Sequence, residues 1–227
     1  MYDNAYNGNK FTQGGHIMNY HRIPLGPIQT NCYVIANEKK ECLIFDPGAQ
    51  GDQLVAFLEK QTYKPLAILL THAHFDHIGG VDEVMNHYSI PLYVHKNEKE
   101  WLHNSDLNGS KFFDLGEITA PDATDIISSE GNLTIGSFQF EVYETPGHSP
   151  GSVSYHFKPG NFVVSGDALF AGGIGRTDLP GGNQAQLLES IESKLLSLPE
   201  DTLVLSGHGP ETTVGHEMDQ NPFLNGF

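Results

Sequence analysis

Cysteine, basic residues and long apolar runs are scarce in this chain of 227 residues, and each scarcity excludes a class of protein. Two cysteines, Cys32 and Cys42, cannot build a disulfide framework. Lys+Arg 12 against Asp+Glu 28 leaves a net charge of −16, a surface that repels phosphodiester backbones and anionic bilayers. Neither nucleic acid nor membrane is therefore expected as a partner. No apolar stretch approaches the roughly 18 residues of a membrane span; runs such as Leu66–Leu70 are strand-sized. Residues 1–17 carry neither the cationic start nor the apolar segment of an export signal, so a cytoplasmic protein is expected. What is abundant is glycine, 25 residues, beside 38% hydrophobic residues, a globular balance that rules out disorder and collagen-like repeats.

The two cysteines fall on the arms of an expected hairpin, TNCYVIA and ECLIFD, joined by Asn37-Glu38-Lys39-Lys40. Folding it at Glu38-Lys39 sets Cys32 opposite Phe45 and Cys42 opposite Ile35, so the sulfurs do not meet and both thiols are expected reduced. A second methionine, Met18, opens the first segment that reads as strand. Residues 1–17 are accordingly read as a leader, tag-like or disordered, and residues 18–227 as one domain.

Along the chain, strands are expected near 31–36, 41–45, 66–70, 91–94, 133–135, 138–143, 152–157, 162–165 and 202–205. Helical spacing marks Asp52–Lys60, the segment containing Val81, Val84, Met85 and Tyr88, then Glu98–Leu102, Gln184–Leu196 and Gly215–Asn221. Residues 104–130 lack periodicity and read as a long loop of the kind that often forms a lid. Within it, Phe112 and Phe113 are either an apolar substrate wall or an anchor for the loop. Two strand-and-helix halves without a linker imply an α/β fold, two sheets packed face to face with helices outside.

The strand at 66–70 runs into Thr71-His72-Ala73-His74-Phe75-Asp76-His77, three imidazoles and a carboxylate within six residues. With 12 His and 13 Asp, such a pattern arises by chance roughly 0.002 times in a chain of this length. In extended backbone His72 and His74 point the same way, while Asp76 and His77, entering a helix, turn to a second point. One loop can therefore serve two metal ions with nitrogen and oxygen donors. His148 in Thr145-Pro146-Gly147-His148-Ser149, Asp167 in Ser165-Gly166-Asp167, and His208 in Ser206-Gly207-His208-Gly209 each follow a strand beside a glycine. Strand ends on one edge of a sheet converge, which gives seven donors, enough for two metals sharing one carboxylate.

These residues resemble the metallo-β-lactamase superfamily. Gly175-Arg176-Thr177-Asp178-Leu179-Pro180-Gly181-Gly182 and Gly207-His208-Gly209-Pro210-Glu211-Thr212-Thr213 are similar to glyoxalase II, the hydroxyacylglutathione hydrolases, over Tyr20 to Phe227. The resemblance implies an αββα four-layer sandwich of two mixed sheets with metals at one edge. It implies His72, His74 and His148 around a first metal, Asp76, His77 and His208 around a second, and Asp167 bridging them. The ions would be divalent, zinc foremost, with iron or manganese as alternatives. The implied chemistry is attack of a bridging hydroxide on a thioester or ester carbonyl, with Asp76 and Asp167 as its carboxylates. Asp46 and Thr71 would steady the ligands, and Arg176 would contact substrate unless it pairs with Asp178.

One departure stands out. Glyoxalase II has a C-terminal helical portion with basic residues for the glutathione carboxylates, whereas here the sequence ends soon after His208. Persulfide dioxygenases share the H-x-H-x-D-H loop, and that resemblance would imply one iron on His72, His148 and Asp167. Lactonases and β-lactamases share the ligands as well. The remaining histidines, His16, His21, His87, His95, His103, His156 and His216, are read as surface or packing residues.

Overall fold

The computed structural model describes residues 6–7, 10–13, 15–113 and 116–224. One sheet is formed by β1 (Tyr6–Asn7), β2 (Phe11–Gln13), β3 (His16–Leu25), β4 (Thr30–Asn37), β5 (Glu41–Phe45), β6 (Lys64–Leu69), β7 (Leu92–His95) and β8 (Asp125–Ile127). A second comprises β9 (Gly131–Ile135), β10 (Phe138–Glu144), β11 (Val153–Phe157) and β12 (Phe162–Gly166). After the small hairpin β13 (Leu169–Phe170) and β14 (Gly173–Ile174), it is completed by β15 (Leu203–Ser206) and β16 (Thr212–Thr213). Both sheets are mixed: β5–β8 run parallel to one another and β12 runs parallel to β15, while the other pairs are antiparallel.

Period-two alternation sorts the side chains into layers. Tyr33, Ile35, Leu43, Phe45, Ala67 and Leu69 face Phe138, Phe140, Tyr155, Phe157, Phe162 and Val164 across the space between the sheets. Their neighbours Cys32, Val34, Cys42, Ile44 and Ile68 face outward. They are covered by Leu54, Val55 and Leu58 of α1 (Gly51–Gln61) and, beyond the short α2 (Phe75–Ile78), by Val81 and Val84 of α3 (Val81–Tyr88). On the far side, Val163 and Val204 meet Leu187 of α4 (Gln184–Ser190), Ile191 and Leu195 of its π-helical continuation, and Val214 of α5 (Val214–Gln220). The result is the expected αββα sandwich. Among the described residues no helix is long and apolar enough to cross a membrane.

Two buried tyrosines lock the sheets together at the edge that matters. The Tyr33 hydroxyl donates to the Ser206 carbonyl at 2.8 Å, and the Tyr155 hydroxyl donates to the Leu70 carbonyl at 2.6 Å. Each bond crosses from one sheet to the other and ends beside a loop that carries candidate metal ligands. A buried phenol needs a partner, and here the need fixes the register of the two sheets.

Four expectations require correction. The β4–β5 hairpin pairs Tyr33 with Phe45 and Ala36 with Cys42, because its loop has three residues and Lys40 takes a left-handed φ of 68°. Cys32 and Cys42 are nonetheless buried and unbonded, as expected. The segment ahead of Met18 is not all outside the fold: Phe11–Gln13 pairs with β3, and the Phe11 ring lies 5.1 Å from that of Phe162. Residues 1–5, 8–9 and 14 lie outside the described residues. The long loop contains β8 at the sheet edge, a three-residue strand too short for periodicity to reveal. It is also pinned by Asn108, whose buried amide donates to the Trp101 and Ile118 carbonyls. Finally, Glu98–Leu102 lies within a 3-10 helix spanning Lys96–His103.

Removing the residues ahead of His16 should lower stability by about 1–3 kcal/mol, through loss of β2 and of Phe11 from the core. Thermal unfolding of the shortened chain measures this, and an unchanged Tm would mean that the strand contributes nothing.

Candidate metal centre

The parallel strands all deliver their C-terminal ends to one edge. There Asp46 follows β5, Thr71 and His72 follow β6, Asp167 follows β12, and His208 follows β15, while His148 sits in the turn between β10 and β11. Backbone bonds tie these loops together: Val153 N–H to the Thr71 carbonyl at 2.8 Å, Gly207 N–H to the Gly166 carbonyl at 2.8 Å and Asn31 N–H to the Gly207 carbonyl at 2.7 Å. Glycine is obligatory at 207, where a Cβ would lie 2.1 Å from Asp167 Oδ1.

The seven side chains singled out from the sequence meet here. His148 Nε2 lies 2.8 Å from His74 Nδ1 and 3.2 Å from His72 Nε2. Tetrahedral donors around one ion at about 2.0–2.1 Å stand about 3.3 Å apart, so three nitrogens already form such a cradle. Asp76 Oδ2 lies 3.2 Å from His208 Nε2 and 3.7 Å from His77 Nε2, forming a second cluster. Asp167 stands between the two: Oδ1 is 3.4 Å from His77 Nε2, and Oδ2 is 3.4 Å from His208 Nε2 and 3.5 Å from His148 Nε2. His77 Nε2 and Asp167 Oδ1 are buried atoms without a hydrogen-bond partner, which fits them to ligate a metal ion.

The far side of each ring is held as well. Asp46 takes the Thr71 N–H at 2.8 Å and the Thr71 hydroxyl at 2.6 Å, and lies 3.0 Å from His77 Nδ1. That hydroxyl, 3.1 Å from His72 Nδ1, keeps lone pairs free for the ring N–H. His148 Nδ1 donates to the Arg176 carbonyl at 2.7 Å. Such partners fix which nitrogen offers its lone pair. Arg176 thus reaches the centre through its backbone, while its exposed guanidinium makes a two-pronged pair with Asp178 at 2.7 and 2.8 Å.

The sequence reading missed Glu98. It is fully buried, and its carboxylate accepts from Ala73 N–H, between His72 and His74, from the Ser149 hydroxyl, beside His148, and from Gly151 N–H at 2.7 Å. One side chain therefore fastens the two loops that carry the three-nitrogen cradle. Thr30 was missed too; its hydroxyl donates to Asp76 Oδ2 at 2.7 Å. Neither belongs to a local motif, since Glu98 meets the centre only by long-range folding. Of the phenylalanine pair, Phe113 packs on Phe75 with ring centres 5.0 Å apart, whereas Phe112 is exposed.

Burial divides the electrostatics. It holds His72 and His148 below the ordinary imidazole range and His74 down at about 3, so these rings are neutral donors. Burial opposes charge on Asp76 too, but His77 and the bond to His208 outweigh it and hold the carboxyl at about 2. Against the same burial, Asp76, Asp167 and Asp46 raise His77 well above its usual value, and Asp167 and Asp76 raise His208 to about 9. The second cluster attracts positive charge, which protons supply when no metal is bound.

Comparison with known proteins agrees with this geometry. Residues 25–208 match the family model described as the metallo-beta-lactamase superfamily. The chain belongs to that superfamily. It is 58% identical over 210 residues to a probable metallo-hydrolase, YqgX, of Bacillus subtilis, covering 92% of this chain and 99% of the relative. It is 36% identical to the hydroxyacylglutathione hydrolase GloC of Haemophilus influenzae, with the same two coverages. Among solved structures, BLEG-1, a B3 metallo-beta-lactamase, matches with a TM-score of 0.90 and 54% identity over 91% of this chain and all of that one. TTHA1623 in a di-iron-bound form matches at 0.82 and 39%, over 89% and 99%.

Two outcomes are expected. Zinc added to metal-free protein at pH 7 should release protons from His77 and His208, and the release should shrink as the pH is raised through about 9, where His208 is already deprotonated. A pH-stat titration measures it, and no release at pH 7 would contradict the assignment. Glu98→Ala should weaken metal binding by about 10–100-fold, with Glu98→Gln in between, as read by competition with a chromophoric chelator; wild-type affinity in both variants would contradict the fastening role.

Proposed function

We propose that this metallo-hydrolase is dinuclear and cleaves a small-molecule thioester or ester. The observation that carries the two-ion reading is Asp167, whose two oxygens lie 3.4–3.5 Å from donors of both clusters. His72, His74 and His148 would hold one ion, Asp76, His77 and His208 the other, with Asp167 between. The nitrogen-rich donor set suits zinc, and iron or manganese also fit it. Divalent ions held there would bring the ionisation of water near neutral pH and polarise a carbonyl.

The chain's own part is preorganisation. Three imidazoles stay neutral, two carboxylates stay ionised, and the rings are aimed by Asp46, Thr71 and the Arg176 carbonyl. His208, 28% exposed, marks where substrate enters, while His72, His74 and His148 are closed off. A single iron on His72, His148 and Asp167 would leave the ionised Asp76 and its imidazole partners without a task, which disfavours the persulfide dioxygenase reading.

The thioester reading draws on the likeness to GloC and on the carbonyl chemistry of such a centre. Recognition of glutathione by charge is not expected, because the Arg176 guanidinium is engaged with Asp178 and the chain carries −16. A cytoplasmic location is part of the proposal and rests on two buried, unpaired thiols. A second reading, β-lactam hydrolysis, is favoured by the 54% identity to BLEG-1.

Steady-state kinetics on glutathione thioesters, other thioesters, a cephalosporin and glutathione persulfide separate these readings. Thioesters should be hydrolysed with kcat/KM of about 10⁴ M⁻¹s⁻¹ or more, with less than about tenfold preference for the glutathione compound, since each buried charge contact withheld is worth about that much. Faster β-lactam turnover, or oxygen uptake with the persulfide, would overturn the proposal. Asp167→Ala should lose bound metal and at least about 10³-fold in kcat; two retained metals with full activity would remove Asp167 from the centre.

A further inference from the structure

We infer that an apolar recess beside Asp76 is an acyl subsite for a short, unsubstituted hydrocarbon chain, an inference that rests on the thioester reading above. Its walls are Leu25 at the end of β3, Pro27 and Ile28 from the β3–β4 connection, Ala49 ahead of α1, Phe75 at the start of α2 and Ile118 from the long loop. Thr30, Asp76 and the backbones of Gly26 and Gly48 complete the lining. Asp76 Oδ2, which accepts from the Thr30 hydroxyl, is the atom 3.2 Å from His208 Nε2. Asp76 therefore belongs both to the lining of the recess and to the second donor cluster, which sets an apolar slot beside that cluster.

Size and polarity select the occupant. The cavity of ≈ 40 Å³, at about 10–15 Å³ for each water-sized group, takes about three non-hydrogen atoms. The thiol half of a thioester such as glutathione is far larger and charged, so the acyl half is the one that fits. The lining is almost wholly apolar. Its one hydroxyl, on Thr30, is directed at Asp76, so a hydroxyl on the acyl chain would be buried without a good partner, at a cost. The slot is also preformed. Gly26 N–H donates to the Gln50 side chain at 3.0 Å, the Gln29 amide donates to the Gly26 carbonyl at 2.6 Å, and Gly26 takes a φ of +67° with no room for a Cβ against Ala49.

The test uses the metal-loaded enzyme and thioesters of a single thiol, N-acetylcysteamine. From acetyl to butyryl, kcat/KM should rise about fourfold per methylene and then fall for octanoyl. Propionyl should exceed lactoyl by about tenfold, the scale of one unpaired buried polar group. Ile118→Ala should move the optimum to a longer chain. A readout independent of metal is the methyl spectrum of metal-free protein: the Ile28 and Ile118 resonances should shift with the ketone analogue of the butyryl thioester and not with its 2-hydroxy counterpart. A flat chain-length profile, a lactoyl preference, an unmoved optimum or unshifted methyls would overturn the subsite alone. Turnover of no thioester at all would overturn the thioesterase reading together with it.

Discussion

Asp76 and Asp167 face the same imidazole nitrogen of His208, at 3.2 and 3.4 Å, and both carboxyls are held ionised in largely dry surroundings. Two like charges so close, and so little solvated, are costly unless positive charge lies between them. The rest of the structure maintains that arrangement. Parallel strands bring the loops to one edge, the bulge between Val164 and Gly166 and the bare backbone of Gly207 make room for Asp167, and Tyr33 and Tyr155 fasten one sheet to the other at the level of the centre. In metal-free protein, His77 and His208 supply the compensating charge as protons. The same site is thus poised to exchange protons for divalent ions.

The two clusters differ in a way that bears on chemistry. Around His72, His74 and His148 burial removes charge and leaves neutral nitrogen donors, fastened by Glu98. Around Asp76, His77 and His208 the carboxylates dominate, and the cluster opens to solvent at His208. On the proposed reading, substrate would meet the more acidic, more exposed half, next to the apolar lining formed by Leu25, Ile28 and Phe75. The lone basic side chain that the sequence offered for substrate contact, Arg176, turns its guanidinium to Asp178 and gives the centre only its carbonyl.

Much of this was legible in the sequence because the signals are local. Period-two alternation in β4, β5 and β6 sorts inner from outer faces, and His72, His74, Asp76 and His77 sit within six residues. His148, Asp167 and His208 follow a weaker rule, a glycine-flanked residue just past a strand, which works because parallel strands end together. What escaped depends on contacts distant in sequence or on single torsions. Glu98 reaches Ala73 and Ser149 across 25 and 51 positions, and nothing around it marks it as more than a helical residue. The shift of the Cys32–Cys42 hairpin by one residue turns on the left-handed Lys40 alone. β8 and β2 have three residues each, too few for a period to declare itself.

Two donor clusters that share Asp167 are proposed to hold two metal ions. Elemental analysis of untagged protein, purified without chelators, counts those ions. Close to two equivalents of zinc, manganese or iron per chain is the expected result. One equivalent or less, unchanged after dialysis against excess metal, would contradict it.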